Sequence, residues 1–176
     1  FGVEIDIRDD HKSGKLILAH DPFVNGEYFE DYLQNYHHNT LILNIKSERI
    51  ELECLHLLES HNITNYFFLD SSFPMIYMLN KKYKCDQIAC RFSEFENINS
   101  FLDNKNMFST VWVDCFTKFP LNNDTYDLIK KADKKICVVS PELQSQTDKI
   151  LQYRAHMLEN NIIPDMICCK SYHIID

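Results

Sequence analysis

The stretch Val3-Glu4-Ile5-Asp6-Ile7-Arg8, followed after a Ser13-Gly14 turn by Leu16-Ile17-Leu18-Ala19-His20-Asp21, decides the fold. Both runs are short, aliphatic and bounded by turn residues, which predicts two strands. Side chains alternate between the faces of a strand, so Glu4 and Asp6 lie on one face. Two adjacent carboxylates repel each other unless a cation lies between them, and oxygen ligands favour Mg²⁺ or Ca²⁺. The motif therefore predicts a metal site.

The second strand ends in His20-Asp21. An imidazole there can carry a proton near neutral pH beside the predicted cation. A Glu-x-Asp motif alone is more typical of a charged, solvent-facing strand edge. The His-Asp step at this spacing favours a functional site instead.

Length and composition indicate a single globular domain over residues 1–176. The chain is 45% hydrophobic and contains three glycines, so it can bury a substantial core. Its formal net charge of −8 argues against nucleic acid as a partner, because a phosphate backbone attracts basic surfaces. A small phosphorylated substrate remains compatible, since a metal and one or two cationic side chains can hold it locally.

The seven cysteines form no Cys-x-x-Cys motif, and several lie within apolar runs. We interpret them as reduced core residues, which predicts a cytoplasmic protein, although an upstream signal segment stays possible. No apolar run approaches the ~20 residues of a membrane-spanning helix.

The rest of the chain alternates strands and helices, a pattern typical of parallel β/α units. We predict further strands over 41–46, 66–70, 87–91, 110–116, 135–142 and 166–171, and helices over 27–36, 47–62, 74–79, 123–132 and 147–160. Ser47 is the expected N-cap of the second helix. The strands are expected to be parallel neighbours in one curved sheet.

Polar residues end most of these strands, and the carboxyl ends of the strands carry the active site in β/α barrels. The residues concerned are Asp6, His20, Lys46, Asp70, Arg91, Asp114, Ser140 and Lys170. Asn44 shares the face of Lys46 and offers a carbonyl oxygen to a hard cation, but no charge.

The segment from Gly2-Val-Glu-Ile-Asp to Ala19-His20-Asp21 resembles the metal-and-histidine segment of glycerophosphodiester phosphodiesterases, TIM-barrel enzymes related to phosphatidylinositol-specific phospholipases C. Glu4, Asp6 and His20 match the family's Glu-x-Asp and His-Asp motifs. Asn44-x-Lys46 stands where the family has Glu-x-Lys, whose glutamate binds metal and whose lysine contacts phosphate. A weaker likeness continues along the chain in Phe68-Leu-Asp-Ser-Ser-Phe-Pro, Arg91-Phe-Ser-Glu, Val111-Trp-Val-Asp and Val139-Ser-Pro-Glu-Leu.

The resemblance implies an α/β fold of the TIM-type (β/α)₈ barrel, N-terminally truncated by one β/α unit, because the family's His-Arg-Gly motif has no counterpart here. It also implies metal-dependent hydrolysis, or cyclising cleavage, of a glycerophosphodiester-like substrate. Glu4, Asp6 and Asn44 would bind Mg²⁺ or Ca²⁺, Lys46 and Arg91 the phosphate, and His20 would act as acid or base with Lys46 assisting catalysis. The family's second histidine is missing, and His173 is the local candidate to replace it.

Other functions remain open at this point. An inactive barrel that binds a phosphorylated ligand, or an interaction module, is favoured by Asn44 and by the missing histidine. A Schiff-base aldolase could use Lys46 or Lys170, but would leave the Glu-x-Asp motif without a purpose. An amidohydrolase would show an early His-x-His, which the sequence lacks. Whether the chain is active by itself, and its oligomeric state, are left open.

Overall fold

The computed structural model describes residues 1–170 as a mixed α/β fold with parallel strands. Residues 171–176, which include His173 and the end of the last predicted strand, lie outside the described part. The chain divides into two compact units, Phe1–Ile88 and a second that begins at Ala89. A single domain over 1–176 therefore stays a prediction. Within residues 1–170, every helix is too short or too polar to cross a membrane.

The first unit is a five-stranded sheet with three helices. Its elements are β1 (Val3–Asp9), β2 (Leu16–Leu18), β3 (Glu27–Tyr28), α1 (Phe29–Gln34), β4 (Leu41–Ile45), α2 (Glu51–Ser60), β5 (Tyr66–Leu69) and α3 (Phe73–Tyr83). The strand order is β3-β2-β1-β4-β5, and β1, β4 and β5 are parallel to one another. Beyond β5, a single parallel bridge pairs Phe68 with Ile88.

Aliphatic burial holds this first sheet together. Strand β4 is nearly continuous in Leu and Ile, as a central parallel strand covered on both faces requires. Strand β1 alternates instead: Ile5 and Ile7 are buried, whereas Glu4 and Asp6 on the other face are partly exposed. Full burial of an aliphatic side chain contributes about 1.5–3 kcal/mol, so the alternation fixes which face of β1 carries the carboxylates.

The second unit is a four-stranded parallel sheet in the order β6-β7-β8-β9. Its elements are β6 (Ala89–Phe92), α4 (Asn99–Leu102), β7 (Thr110–Val113), α5 (Asn123–Lys131), β8 (Lys135–Val139), α6 (Ile150–Glu159) and β9 (Met166–Cys168), with short 3₁₀ turns at Lys105–Met107, Pro141–Gln144 and Thr147–Lys149. Strands β7 and β8 form its core, where Val111, Val113, Ile136 and Cys137 are fully buried.

The strand pairing corrects two expectations. The strand predicted over 16–21 is β2, and it pairs antiparallel to β1, not parallel. Residues 10–15 are too few for a parallel crossover, which needs a dozen or more. The described strands also form two hydrogen-bonded sheets, so pairing within residues 1–170 does not close a (β/α)₈ barrel.

The helix boundaries also differ from the predicted ones. Residues 27–28 pair with β2, which shortens the first predicted helix to Phe29–Gln34. The second helix begins at Glu51, so Ser47 is not its N-cap; the Ser47 hydroxyl accepts a hydrogen bond from the Asp9 amide at 3.4 Å. The short α4 was not predicted, because four residues give no periodic signal.

Candidate active site

Four of the predicted site residues meet on one face of the β1–β4 pair. Asp6 is paired with Asn44 in the parallel ladder, and Glu4 lies two residues before Asp6 on the same face. Lys46 follows directly after β4, and its amide donates to the carbonyl of Ile7 at 2.8 Å. The same-face spacing in both strands is therefore what assembles the cluster.

Side-chain contacts within this cluster satisfy only part of its polar atoms. Asn44 Nδ2 donates to Glu4 Oε1 at 2.9 Å, and Lys46 Nζ lies 3.4 Å from Asp6 Oδ1 as an ion pair. Asp6 Oδ1 and Asn44 Oδ1 are nevertheless buried without a hydrogen bond of normal geometry. A buried polar atom left in this condition costs free energy unless a ligand completes it.

The electrostatics of Glu4 point in the same direction. Burial raises the pKa of Glu4, and the charges of Asp6 and Asp70 raise it further. The hydrogen bond from Asn44 and the charge of Lys46 lower it but do not prevail. Two carboxylates, Glu4 and Asp6, face the single ammonium of Lys46, and a bound cation would favour the charged form of Glu4.

The donor set fits a hard divalent cation. Glu4 and Asp6 supply carboxylate oxygens, and the unpaired Asn44 Oδ1 supplies a neutral one, which are the ligands Mg²⁺ and Ca²⁺ prefer. Residues 1–170 contain no group of three or more His, Cys, Asp or Glu side chains arranged to hold a metal. Two carboxylates and one amide oxygen are a smaller charged ligand set than such a group, so binding by these residues alone should be weak.

Arg8 also belongs to this site, although the sequence suggested no role for it. Its guanidinium donates from Nη1 to the carbonyl of His20 at 2.8 Å and from Nη2 to the carbonyl of Lys46 at 3.4 Å. Arg8 therefore ties the segments after β2 and β4 to β1. The signal was present in the sequence, since Arg8 follows Asp6 by two residues on the same strand face.

His20 lies beside β1, where the amide of the preceding Ala19 donates to the carbonyl of Asp6 at 3.0 Å. Its side chain is 70% exposed, and its Nδ1 is 2.9 Å from Asp21 Oδ1. A carboxylate accepts hydrogen bonds, so Asp21 favours a proton on Nδ1 and leaves Nε2 for other chemistry.

Comparisons with known proteins identify a fold but not a family. No family model matches the chain, and no curated protein matches it. A solved structure does. It is a protein from Agrobacterium tumefaciens with the provisional name glycerophosphoryl diester phosphodiesterase, 11% identical, with a TM-score of 0.59 over 94% of this chain and 80% of that one. At this identity the likeness establishes the α/β fold alone.

Arg91, the remaining predicted site residue, lies in β6 of the second unit. Its guanidinium is paired with the buried Asp114 carboxylate, and its Nε lies 3.8 Å from Glu96 Oε1. Asp114 also accepts hydrogen bonds from Gln144 and from the Cys115 amide. The charge of Arg91 is thus already matched by carboxylates of its own unit, and its role in phosphate binding stays a prediction.

Proposed function

We propose that this protein is a metal-dependent phosphodiesterase that hydrolyses, or cleaves with cyclisation, a glycerophosphodiester-like substrate. The observation that carries the proposal is the Glu4–Asp6–Asn44–Lys46 cluster, in which two buried oxygens, Asp6 Oδ1 and Asn44 Oδ1, accept no hydrogen bond. The provisional name of the structural neighbour supports the same reaction class. We further propose that the alternation of parallel strands and helices is that of a TIM-type (β/α)₈ barrel, although the strand pairing within residues 1–170 leaves this barrel open.

Glu4, Asp6 and Asn44 are the residues proposed to hold Mg²⁺ or Ca²⁺. The bound cation would neutralise a non-bridging phosphate oxygen, whose charge otherwise repels a nucleophile. Lys46 binds a second phosphate oxygen and stabilises the charge that grows there as the reaction proceeds. Its ion pair with Asp6 orients the ammonium toward the same place. Arg91 is retained as a proposed phosphate contact.

His20 is the proposed general acid or base. With Asp21 on Nδ1, the Nε2 atom exchanges a proton with the attacking or the leaving oxygen. Arg8 acts as a positioning residue, because it hydrogen-bonds the backbone carbonyl of His20. Both a direct attack by water and a cyclic phosphate intermediate use the histidine in this way.

His20→Ala tests the proposal. General acid–base catalysis contributes about 10²–10⁴-fold, so turnover of bis(p-nitrophenyl) phosphate and of glycerophosphodiesters in the presence of Mg²⁺ or Ca²⁺ should fall by that factor. His56→Ala is the matched control, because His56 is exposed on α2 and belongs to no part of the site. Its turnover should equal that of the wild type.

The competing function is an inactive barrel that binds a phosphorylated ligand. It is favoured by Asn44, which takes the place of a charged ligand and donates a hydrogen bond to Glu4. No turnover of any diester by the wild type, together with retained binding of a phosphate monoester, would contradict the phosphodiesterase and support this alternative.

A further inference from the structure

A cavity of the second unit lies between α6 and the strands β8 and β9. Its volume is about 140 Å³. The lining is mostly apolar and includes Phe119, Val138, Ile150, Met157 and Ile167. An apolar cavity of about 150 Å³ in a protein interior holds one benzene molecule. This cavity therefore has room for a single ligand of about that size.

Two side chains with hydroxyl groups interrupt the apolar lining. Ser140, directly after β8, is 3% exposed, and Tyr153, in α6, is 6% exposed. Ser140 Oγ and Tyr153 Oη are both buried, and within residues 1–170 neither has a hydrogen-bond partner. Buried hydroxyls in folded proteins are nearly always hydrogen-bonded. The pair therefore indicates that this cavity takes a molecule with a hydrogen-bonding group of its own.

The surrounding contacts fix where both residues lie. The amide of Ser140 donates to the carbonyl of Cys168 at 2.8 Å, and the carbonyl of Ser140 accepts from the amide of Leu143 at 3.0 Å. The ring of Tyr153 packs on that of Phe119, with centroids 5.3 Å apart. Ser140 is also one of the polar residues at the strand ends, and the proposed phosphodiesterase reaction gives it no role. Its hydroxyl is thus held in place for another purpose.

The charges around the cavity favour a neutral ligand. Burial raises the pKa of Tyr153, and the nearby Cys115, Glu94 and Asp148, which are negative when ionised, raise it further. An anionic ligand beside the Tyr153 hydroxyl would lose its water and meet the same repulsion. Arg154 is the one charged residue of the described lining, and it is exposed and already has an interaction partner. A cation finds no carboxylate in that lining.

The aromatic part of the lining favours a ring as the apolar body of the ligand. Phe119 and Tyr153 both face the cavity, and aromatic rings pack favourably on one another with centroids about 4.5–7 Å apart. A six-membered ring also matches the volume of the cavity. The walls and the two hydroxyls together thus describe a ring with one polar substituent.

We propose that the cavity between α6 and the β8–β9 pair binds a small neutral molecule, an aromatic ring that carries one hydroxyl group. A hydroxyl both donates and accepts, so the ligand can donate to one of Ser140 Oγ and Tyr153 Oη and accept from the other. This site is separate from the proposed phosphodiesterase reaction, because none of the residues assigned to that reaction lines the cavity.

Isothermal titration calorimetry with benzyl alcohol, toluene and benzoate tests the site. The wild type should bind benzyl alcohol about 2–10-fold more tightly than toluene, which is the factor that a net hydrogen bond contributes. Benzoate should bind at least about 10-fold more weakly than benzyl alcohol, because its charge must be desolvated. The double variant Ser140→Ala/Tyr153→Phe should bind benzyl alcohol and toluene alike. Tyr77→Phe, at an exposed position on α3, should keep the wild-type preference.

Thermal unfolding of Tyr153→Phe distinguishes a binding role from a structural one. The variant should melt at the wild-type temperature, because in the described part of the chain the lost hydroxyl has no hydrogen bond. Benzyl alcohol should raise the melting temperature of the wild type more than toluene does at the same concentration. A lower melting temperature of Tyr153→Phe, with equal losses of affinity for both ligands, would mean that the hydroxyl only supports the packing of α6 and would overturn the inference.

Three other results would also overturn it. Equal affinity of the wild type for benzyl alcohol and toluene would mean that the two hydroxyls recognise no polar group. Tighter binding of benzoate than of benzyl alcohol would indicate an anion site instead. Binding of none of the three probes would mean that the cavity is not a ligand site. Each of these results would leave the proposed phosphodiesterase reaction intact.

Discussion

Asp6 and Asp114 occupy similar places in the two units but have different surroundings. Asp6 is the central residue of β1 and lies one residue before the end of its pairing with β4, and Asp114 follows β7 directly. The Asp114 side chain is 3% exposed and is paired with the Arg91 guanidinium. It also accepts hydrogen bonds from Gln144 Nε2 at 2.9 Å and the Cys115 amide at 3.0 Å. Its charge and both of its oxygens have partners within the second unit.

Asp6 is only partly satisfied. Its side chain is 27% exposed, it lies 3.4 Å from Lys46 Nζ, and its Oδ1 has no hydrogen bond among the described residues. A carboxylate at a strand end is therefore not a sign of function in itself. The candidate site differs because the buried Oδ1 atoms of Asp6 and Asn44 accept no hydrogen bond and can therefore bind a ligand.

The largest effect on stability is expected at Asp114. Asp114→Ala leaves the Arg91 guanidinium without its buried partner, and breaking a buried ion pair from one side costs about 3–5 kcal/mol. Urea unfolding measures the loss. If Asp114→Ala lowers the free energy of unfolding by less than about 1 kcal/mol, the Arg91–Asp114 pair does not have the stabilising role that distinguishes it from the Asp6 site.

A smaller, pH-dependent effect is expected at Glu4. Its pKa in the folded protein is raised above the usual 4.5, so its contribution to stability is full below that value and is lost as the pH rises through the folded pKa. Glu4→Gln removes the titration and keeps an oxygen to accept from Asn44. The variant should unfold at a higher temperature than the wild type at about pH 7, with the difference vanishing well below pH 4.5.

Melting curves over this pH range test the expectation. Saturating Mg²⁺ should reduce the difference in melting temperature between Glu4→Gln and the wild type near neutral pH, because a bound cation favours the charged form of Glu4. If the difference in melting temperature between the variant and the wild type does not change with pH, the pKa of Glu4 is not raised.

The smallest effect is expected at an exposed pair. Lys131 Nζ and Asp127 Oδ2 lie 3.9 Å apart on α5, with side chains 75% and 62% exposed. Lys131→Ala should cost less than about 0.5 kcal/mol, since solvent screens such pairs. If Lys131→Ala lowers the free energy of unfolding as much as Asp114→Ala does, burial does not determine how much each ion pair contributes to stability.

The sequence predicted the part of this site that depends on local periodicity. Alternation along β1 placed Glu4 and Asp6 on one face, and the aliphatic run of β4 placed Asn44 and Lys46 at its end. The antiparallel direction of β2 could also have been predicted from the sequence, because the connection after β1 is too short for a crossover.

Contacts between distant residues could not be predicted. Arg8 reaches the carbonyl of Lys46, 38 residues along the chain, and Asp114 pairs with Arg91, 23 residues away. No periodic pattern in the sequence encodes such pairings, because they depend on strand register and side-chain conformation. For the same reason the buried hydroxyl of Tyr153, unpaired within residues 1–170, became visible only in the folded structure.

The central claim is that Glu4 and Asp6 share a divalent cation, and isothermal titration calorimetry with Mg²⁺ and Ca²⁺ tests it most directly. The wild type should bind a single equivalent, and Asp6→Asn should abolish binding. The variant also loses the ion pair with Lys46 Nζ at 3.4 Å, but both side chains are partly exposed, so its cost in stability should be smaller than that of Asp114→Ala. Asp127→Asn, at an exposed position on α5, should bind like the wild type. Equal binding by the wild type and Asp6→Asn, or no binding by the wild type, would contradict the metal site on which the proposed phosphodiesterase depends.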